Sequence, residues 1–116
     1  MIPKEFSVEG KVAIVTGAGR GLGKAIALIL AEGGANITAL DLTTKQIEQT
    51  AEEVRQLGRK ALVITTDVTK EAQVKGAVEQ TLSQFGKIDI LVNNAGISLG
   101  KLVTFIPGWK PPSWEL

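Results

Sequence analysis

The chain has 116 residues, a formal net charge of +1, 13 glycines and no Cys, His or Tyr. That size allows one domain or part of one, with roughly 65% of the unfolded surface available for burial. The balanced charge argues against a nucleic-acid or polybasic membrane-surface role, and without Cys there is no disulfide framework, thiolate nucleophile or Cys metal site.

The N-terminal stretch MIPKEFSVEG has no apolar signal region or small-residue cleavage site, and the longest apolar run is too short to span a bilayer. A cytoplasmic location is the default expectation. Residues 11–15 (KVAIV) read as a short buried strand. Residues 22–32 (LGKAIALILAE) follow with the length of a helix. They are apolar nearly all round, which predicts burial on more than one side. Gly33 and Gly34 stop this helix. Residues 36–40 (NITAL) are the second strand. Thr43 and Gln46 have the spacing of a capping box, opening a helix with Ile47, Ala51, Val54 and Leu57 on one face and Gly58 at its end. Residues 61–65 (ALVIT) are the third strand. Thr69 is expected to cap a third helix carrying Val74, Ala77, Val78, Leu82 and Phe85, which Gly86 closes. Residues 88–92 (IDILV) are the fourth strand. Continuously apolar strands joined by helices imply a parallel α/β sheet covered on both faces. After Ser98 the composition changes: both Trp residues and Pro107, Pro111 and Pro112 crowd the end. Residues 99–116 read as a loop or tail ending at the start of a next helix, which Ser113 would cap.

Without His, Cys or Tyr, proton transfer would need a strongly shifted Asp, Glu or Lys, so no catalytic residue and no metal-ligand set is singled out. The informative segment is Thr16-Gly17-Ala18-Gly19-Arg20-Gly21-Leu22-Gly23, between the first strand and first helix. Glycines there permit a tight turn and a close approach of backbone N–H groups to a diphosphate, and the helix N-terminus adds its positive end. Asp41, at the end of the second strand, is placed to accept hydrogen bonds from both adenosine ribose hydroxyls and to repel a 2′-phosphate, which favours NAD over NADP. Arg20 pulls the other way, but Leu42 supplies no second positive charge. A nucleoside-triphosphate loop is excluded, because Ala18 and Ala25 stand where it needs Gly and Ser or Thr.

The glycine spacing, together with Asn93-Asn94-Ala95-Gly96 after the fourth strand and Asp67-Val68 after the third, resembles the short-chain dehydrogenase/reductase family over about residues 6–98. The resemblance implies a Rossmann-like doubly wound sheet of strand order 3-2-1-4, incomplete here. Residues 1–98 would be the N-terminal half of a dinucleotide-binding domain. It implies that Gly17, Arg20, Gly21, Leu22 and Gly23 line the diphosphate turn. Thr16 and Asn93 would brace the first and fourth strands, Asp41 and Leu42 face the ribose, and Asp67 and Val68 hold the adenine edge. Asn94, Ala95 and Gly96 would pass beneath the cofactor near the nicotinamide side.

The family transfers hydride between a nicotinamide cofactor and a carbonyl or alcohol. It uses a Tyr, a Lys four residues later, a Ser and a further Asn. This sequence has no Tyr and no Asn after Asn94, and Ser98 and Ser113 lie too early to serve. The implied parent is an NAD(P)-dependent oxidoreductase, homo-oligomeric, acting on a small carbonyl or alcohol substrate. The chain by itself is expected to be inactive. The competing reading is a non-catalytic nucleotide-binding or subunit-interaction module. The Asn-Asn-Ala-Gly segment disfavours a methyltransferase-like nucleoside binder.

Overall fold

A computed structural model describes residues 7–94. The elements, in chain order, are β1 (Val12–Thr16), α1 (Gly21–Glu32), β2 (Asn36–Asp41), α2 (Thr44–Gln56), β3 (Ala61–Thr65), α3 (Glu71–Phe85) and β4 (Ile90–Val92). All strand pairs are parallel, in the order β3-β2-β1-β4. Val12 pairs with Asn36, Ala13 with Ile90, and Ile37 with Ala61 at the start of each ladder.

Alternation along the strands sends successive side chains to opposite faces. Ala13, Val15, Ile37 and Ala39 pack with Ala27, Leu30 and Ala31 of α1 and Ile47 and Val54 of α2. Ile14 and Leu40 point the other way and pack with Val74, Ala77 and Val78 of α3. The small residues on the first face let two helices lie close to the sheet. β1 and the interior of β2 are fully buried, as the apolar runs predicted, while the outer strands β3 and β4 are largely half-buried.

Several local expectations are corrected. α1 buries only Gly23, Ala27, Leu30 and Ala31, packs Ile26 and Leu28 partly against the same core, and leaves Leu22 and Ile29 exposed. No described element covers the outward side, so apolar character there is not matched by packing. Thr43 does occupy the N-cap of α2, but its side chain makes no cap bond. The capping box does not form, and the Gln46 side chain lies on the Gly19 side of the turn. Leu57 falls just past α2 and is exposed, while Thr50 joins the buried face. Thr69 lies outside α3, whose N-cap is Lys70, because the Thr69 hydroxyl donates to Asp67 Oδ1 at 2.6 Å. β4 begins two residues later than expected. Asp89 joins β1 partly through its side chain, which accepts the Val12 N–H at 2.9 Å. Gly86 closes α3 as expected, in the left-handed conformation at φ 81°. The tail expected over residues 99–116 lies outside the described residues.

Candidate functional site

β2 and β4 flank β1 on opposite sides, so the chain reverses its direction of travel across the sheet beyond the C-terminal ends of β1 and β4. Such a switch point leaves a crevice above the strand ends, where α/β sheets bind ligands. The glycine-rich turn and Asn94 meet there. Thr16, at the end of β1, accepts the Asn94 N–H at 2.9 Å and has the Val92 carbonyl 3.3 Å and Asn93 Oδ1 3.5 Å from its hydroxyl. Thr16 thus ties β1 to the end of β4, chiefly through the Asn94 N–H and the Val92 carbonyl, with Asn93 Oδ1 at the edge of hydrogen-bond distance.

Two glycines in the turn have no room for a side chain. A β-carbon on Gly23 would run into the Gly17 carbonyl and come within 2.7 Å of Asn94 Nδ2. A β-carbon on Gly19 would lie 2.7 Å from Asp41 Oδ2 and 2.9 Å from the Gln46 β-carbon. At Gly21 space is open but φ is +57°, a conformation that L side chains rarely adopt. The turn therefore lets α1 start directly against the backbone of residues 17–19. The first N–H groups of α1 lack intrahelical acceptors by helix geometry and carry the positive end of the helix dipole. Arg20 is the extended N-cap and offers no side-chain cap bond, and α1 has no acidic residue in its first turn. That end of the helix remains electropositive. Lys24 pairs with Glu53 at 2.7 Å, linking α1 to α2.

Asp41 closes the turn from the β2 side. Its Oδ2 accepts the Gly19 N–H at 2.9 Å and its Oδ1 accepts the Leu42 N–H at 2.7 Å. Each carboxylate oxygen keeps a further lone-pair site for a donor such as a hydroxyl. Leu22 and Leu42 are exposed aliphatic side chains, 67% and 65% accessible, on the loops and helix start at this end of the sheet. Asp67 follows β3. Its Oδ1 accepts both the N–H and the hydroxyl of Thr69, and these two bonds, with Lys70 nearby, hold its carboxyl below the usual carboxylate range. The Asp67 N–H donates to Gln73 Oε1 at 2.8 Å, which ties the segment to α3. Val68 is half-buried and packs against the Ile14 and Leu40 cluster.

Gly17, Arg20, Gly21, Leu22, Gly23, Asp41 and Leu42 thus come together around one turn, with Asn94 beside them. Asp67 and Val68 lie beyond β3. Ala95 and Gly96 fall outside the described residues. The sequence marks Gly19 only as one of the turn's glycines, and does not mark Gln46 or Thr50 as contributors. The fully buried Thr50 donates its hydroxyl to the Ala18 carbonyl at 2.9 Å across 32 positions of chain. Nothing local marks a helix Thr for that contact; the only available signal was a polar residue on the buried stripe of α2. Among the described residues no three His, Cys, Asp or Glu side chains cluster as metal ligands, and no helix is long and apolar enough to cross a membrane.

A family model described as short chain dehydrogenase matches residues 11–108. The chain is 41% identical over 116 residues to the CLA biosynthesis dehydrogenase/reductase of Lactiplantibacillus plantarum, covering 97% of this chain and 37% of that protein. The structure of hydroxysteroid dehydrogenase from Escherichia coli is similar with a TM-score of 0.82 and 30% identity, over 89% of this chain and 53% of that one. Carveol dehydrogenase from Mycobacterium avium, solved in complex with NAD, is similar with a TM-score of 0.74 and 36% identity, over 78% of this chain and 37% of that one. The chain spans little more than a third of the length of the curated relative.

Proposed function

The chain belongs to the short-chain dehydrogenase family, and we propose that it is the cofactor-binding portion of an NAD-dependent oxidoreductase acting on a carbonyl or alcohol. The observation that carries this reading is the glycine turn at the switch point: Gly21, with open space and φ +57°, leaves the start of α1 bare, and Gly23 lets that helix sit against Gly17 and Asn94. Only bare backbone permits a diphosphate to approach the start of α1 so closely. The residues present fit a dinucleotide. Gly17, Arg20, Gly21, Leu22 and Gly23 offer the diphosphate backbone N–H groups and an electropositive helix end. Asp41 accepts ribose hydroxyls and Leu42 flanks them. Asp67 and Val68 would border the adenine, and Asn94 would lie towards the nicotinamide side. The nicotinamide, when bound, supplies the hydride donor or acceptor.

Asp41 favours NAD because a fixed anion opposes a 2′-phosphate more than the exposed Arg20 attracts it. The NAD complex of the Mycobacterium avium relative is consistent with this choice. Titration calorimetry with NAD and NADP at millimolar concentration tests the reading. Tighter binding of NAD is expected, and Asp41→Ala is expected to shift the ratio of affinities towards NADP. An unchanged ratio removes Asp41 as the ribose reader. No heat with either nucleotide, from a chain folded by circular dichroism, removes the cofactor role.

A further inference from the structure

One peptide unit of the glycine-rich turn is gripped at both ends. The Gly19 N–H donates to Asp41 Oδ2 at 2.9 Å, and the Thr50 hydroxyl donates to the Ala18 carbonyl at 2.9 Å, nearer than the Gln46 carbonyl of its own helix at 3.2 Å. That N–H and that carbonyl belong to the same planar group and point in opposite directions. Asp41 comes from the end of β2 and Thr50 from the middle of α2. Rotating the plane would break both bonds together. Its neighbours leave no slack: the Ala18 N–H donates to the Leu40 carbonyl at 3.1 Å, and Asp41 Oδ1 is itself held by the Leu42 N–H. The missing β-carbon of Gly19 would touch Asp41 and Gln46, so the unit is enclosed on that side as well.

We infer that Asp41 and Thr50 form a clamp that sets the Ala18–Gly19 peptide and thereby the diphosphate turn. Thr50 is a positioning residue that touches no cofactor, and Asp41 positions the turn in addition to reading the ribose. The ligand in this inference rests on the dinucleotide reading above. Its consequence is that cofactor choice and turn geometry are coupled. Removing Asp41 to admit a 2′-phosphate loosens the turn and lowers affinity for both cofactors, even as their ratio changes.

The test has two arms, both on the full 116-residue chain. Without ligand, amide hydrogen exchange at Gly19 is expected to be slowed in the parent chain. It should speed up about tenfold in Asp41→Ala and in Thr50→Val, with Thr50→Ser restoring protection and Asp41→Asn intermediate, as expected for losing one buried hydrogen bond. An unprotected Gly19 amide in the folded parent chain overturns the clamp. With ligand, ADP and its 2′,3′-dideoxy analogue are titrated in parallel. The analogue cannot report ribose reading, so its binding isolates the turn. Asp41→Ala and Thr50→Val are each expected to weaken it about tenfold, and Thr50→Ser to rescue. Equal binding of the analogue by the parent chain and Asp41→Ala overturns the positioning role. Failure of ADP to bind while Gly19 keeps its pattern of protection sinks the dinucleotide reading and leaves the clamp standing.

Discussion

At Gly23 a β-carbon has no space, whereas at Gly21 it has space but the wrong backbone conformation. The two positions should therefore respond differently to the same substitution. Gly21→Ala is expected to cost roughly 1–2 kcal/mol of stability, the strain of a left-handed L-residue. Gly23→Ala is expected to cost about 3 kcal/mol or more, because the clash is with backbone that cannot move aside. Urea midpoints of the two variants check this, and equal shifts would show that sterics at Gly23 are relieved. Asp67 makes a pH prediction. Thr69 holds its carboxyl below the ordinary value of 3.8, so the folded state releases its proton more readily than the unfolded chain. The stability it contributes is present above that unfolded value and is lost as pH falls through the lower folded value. Thr69→Val removes the hydroxyl bond and is expected to move the Asp67 titration upward, read by NMR. No movement would mean that the Thr69 N–H alone sets it.

The elements themselves were largely legible. Among the described residues seven elements of the expected types occur in the expected order, because run length, periodicity and the glycines between runs together separate strands from helices. What periodicity could not settle was which apolar face finds a partner. α1 is uniformly apolar, yet packing buries Ala27 fully and leaves Ile29 about half exposed at 48%. Ile29→Gln is expected to change stability by less than about 0.5 kcal/mol, while Ala27→Gln should cost about 2 kcal/mol or more through overpacking and an unpaired amide. Thermal unfolding of both variants measures the contrast, and a large loss for Ile29→Gln would reveal a buried partner for the outward face. Helix capping was misread for a related reason. The Thr69 hydroxyl is taken by Asp67, which outcompetes the local cap, and the Gln46 side chain lies on the Gly19 side of the turn.

For the whole molecule, the described residues make a sheet with helices on both faces and its glycine-rich crevice beyond the ends of β1 and β4. A crevice of this kind binds and orients; it does not by itself move a proton. No His, Cys or Tyr exists anywhere in the sequence to do so near neutral pH. The 116-residue chain is therefore expected to give no multiple-turnover NADH formation with a panel of alcohols, whatever its affinity for NAD. Sustained NADH formation over many turnovers would contradict that expectation.

Strand and helix types, parallel pairing, the glycine turn and the acidic residue at the end of the second strand were all legible in the sequence. Each depends on local chemistry: side-chain periodicity, the freedom of glycine, and a short span of chain. The order β3-β2-β1-β4 was implied by family resemblance, and the strand ladders display it. Tertiary structure alone decided the partners across distance. It brought Thr50 of α2 to Ala18, turned the Asp41 carboxylate onto the Gly19 N–H, and pressed Gly23 against Gly17 and Asn94. Such contacts join residues far apart in the chain, and Thr16 and Asn93 meet across 77 positions. They exist only once the sheet has closed the loops between them, and no local pattern encodes that geometry.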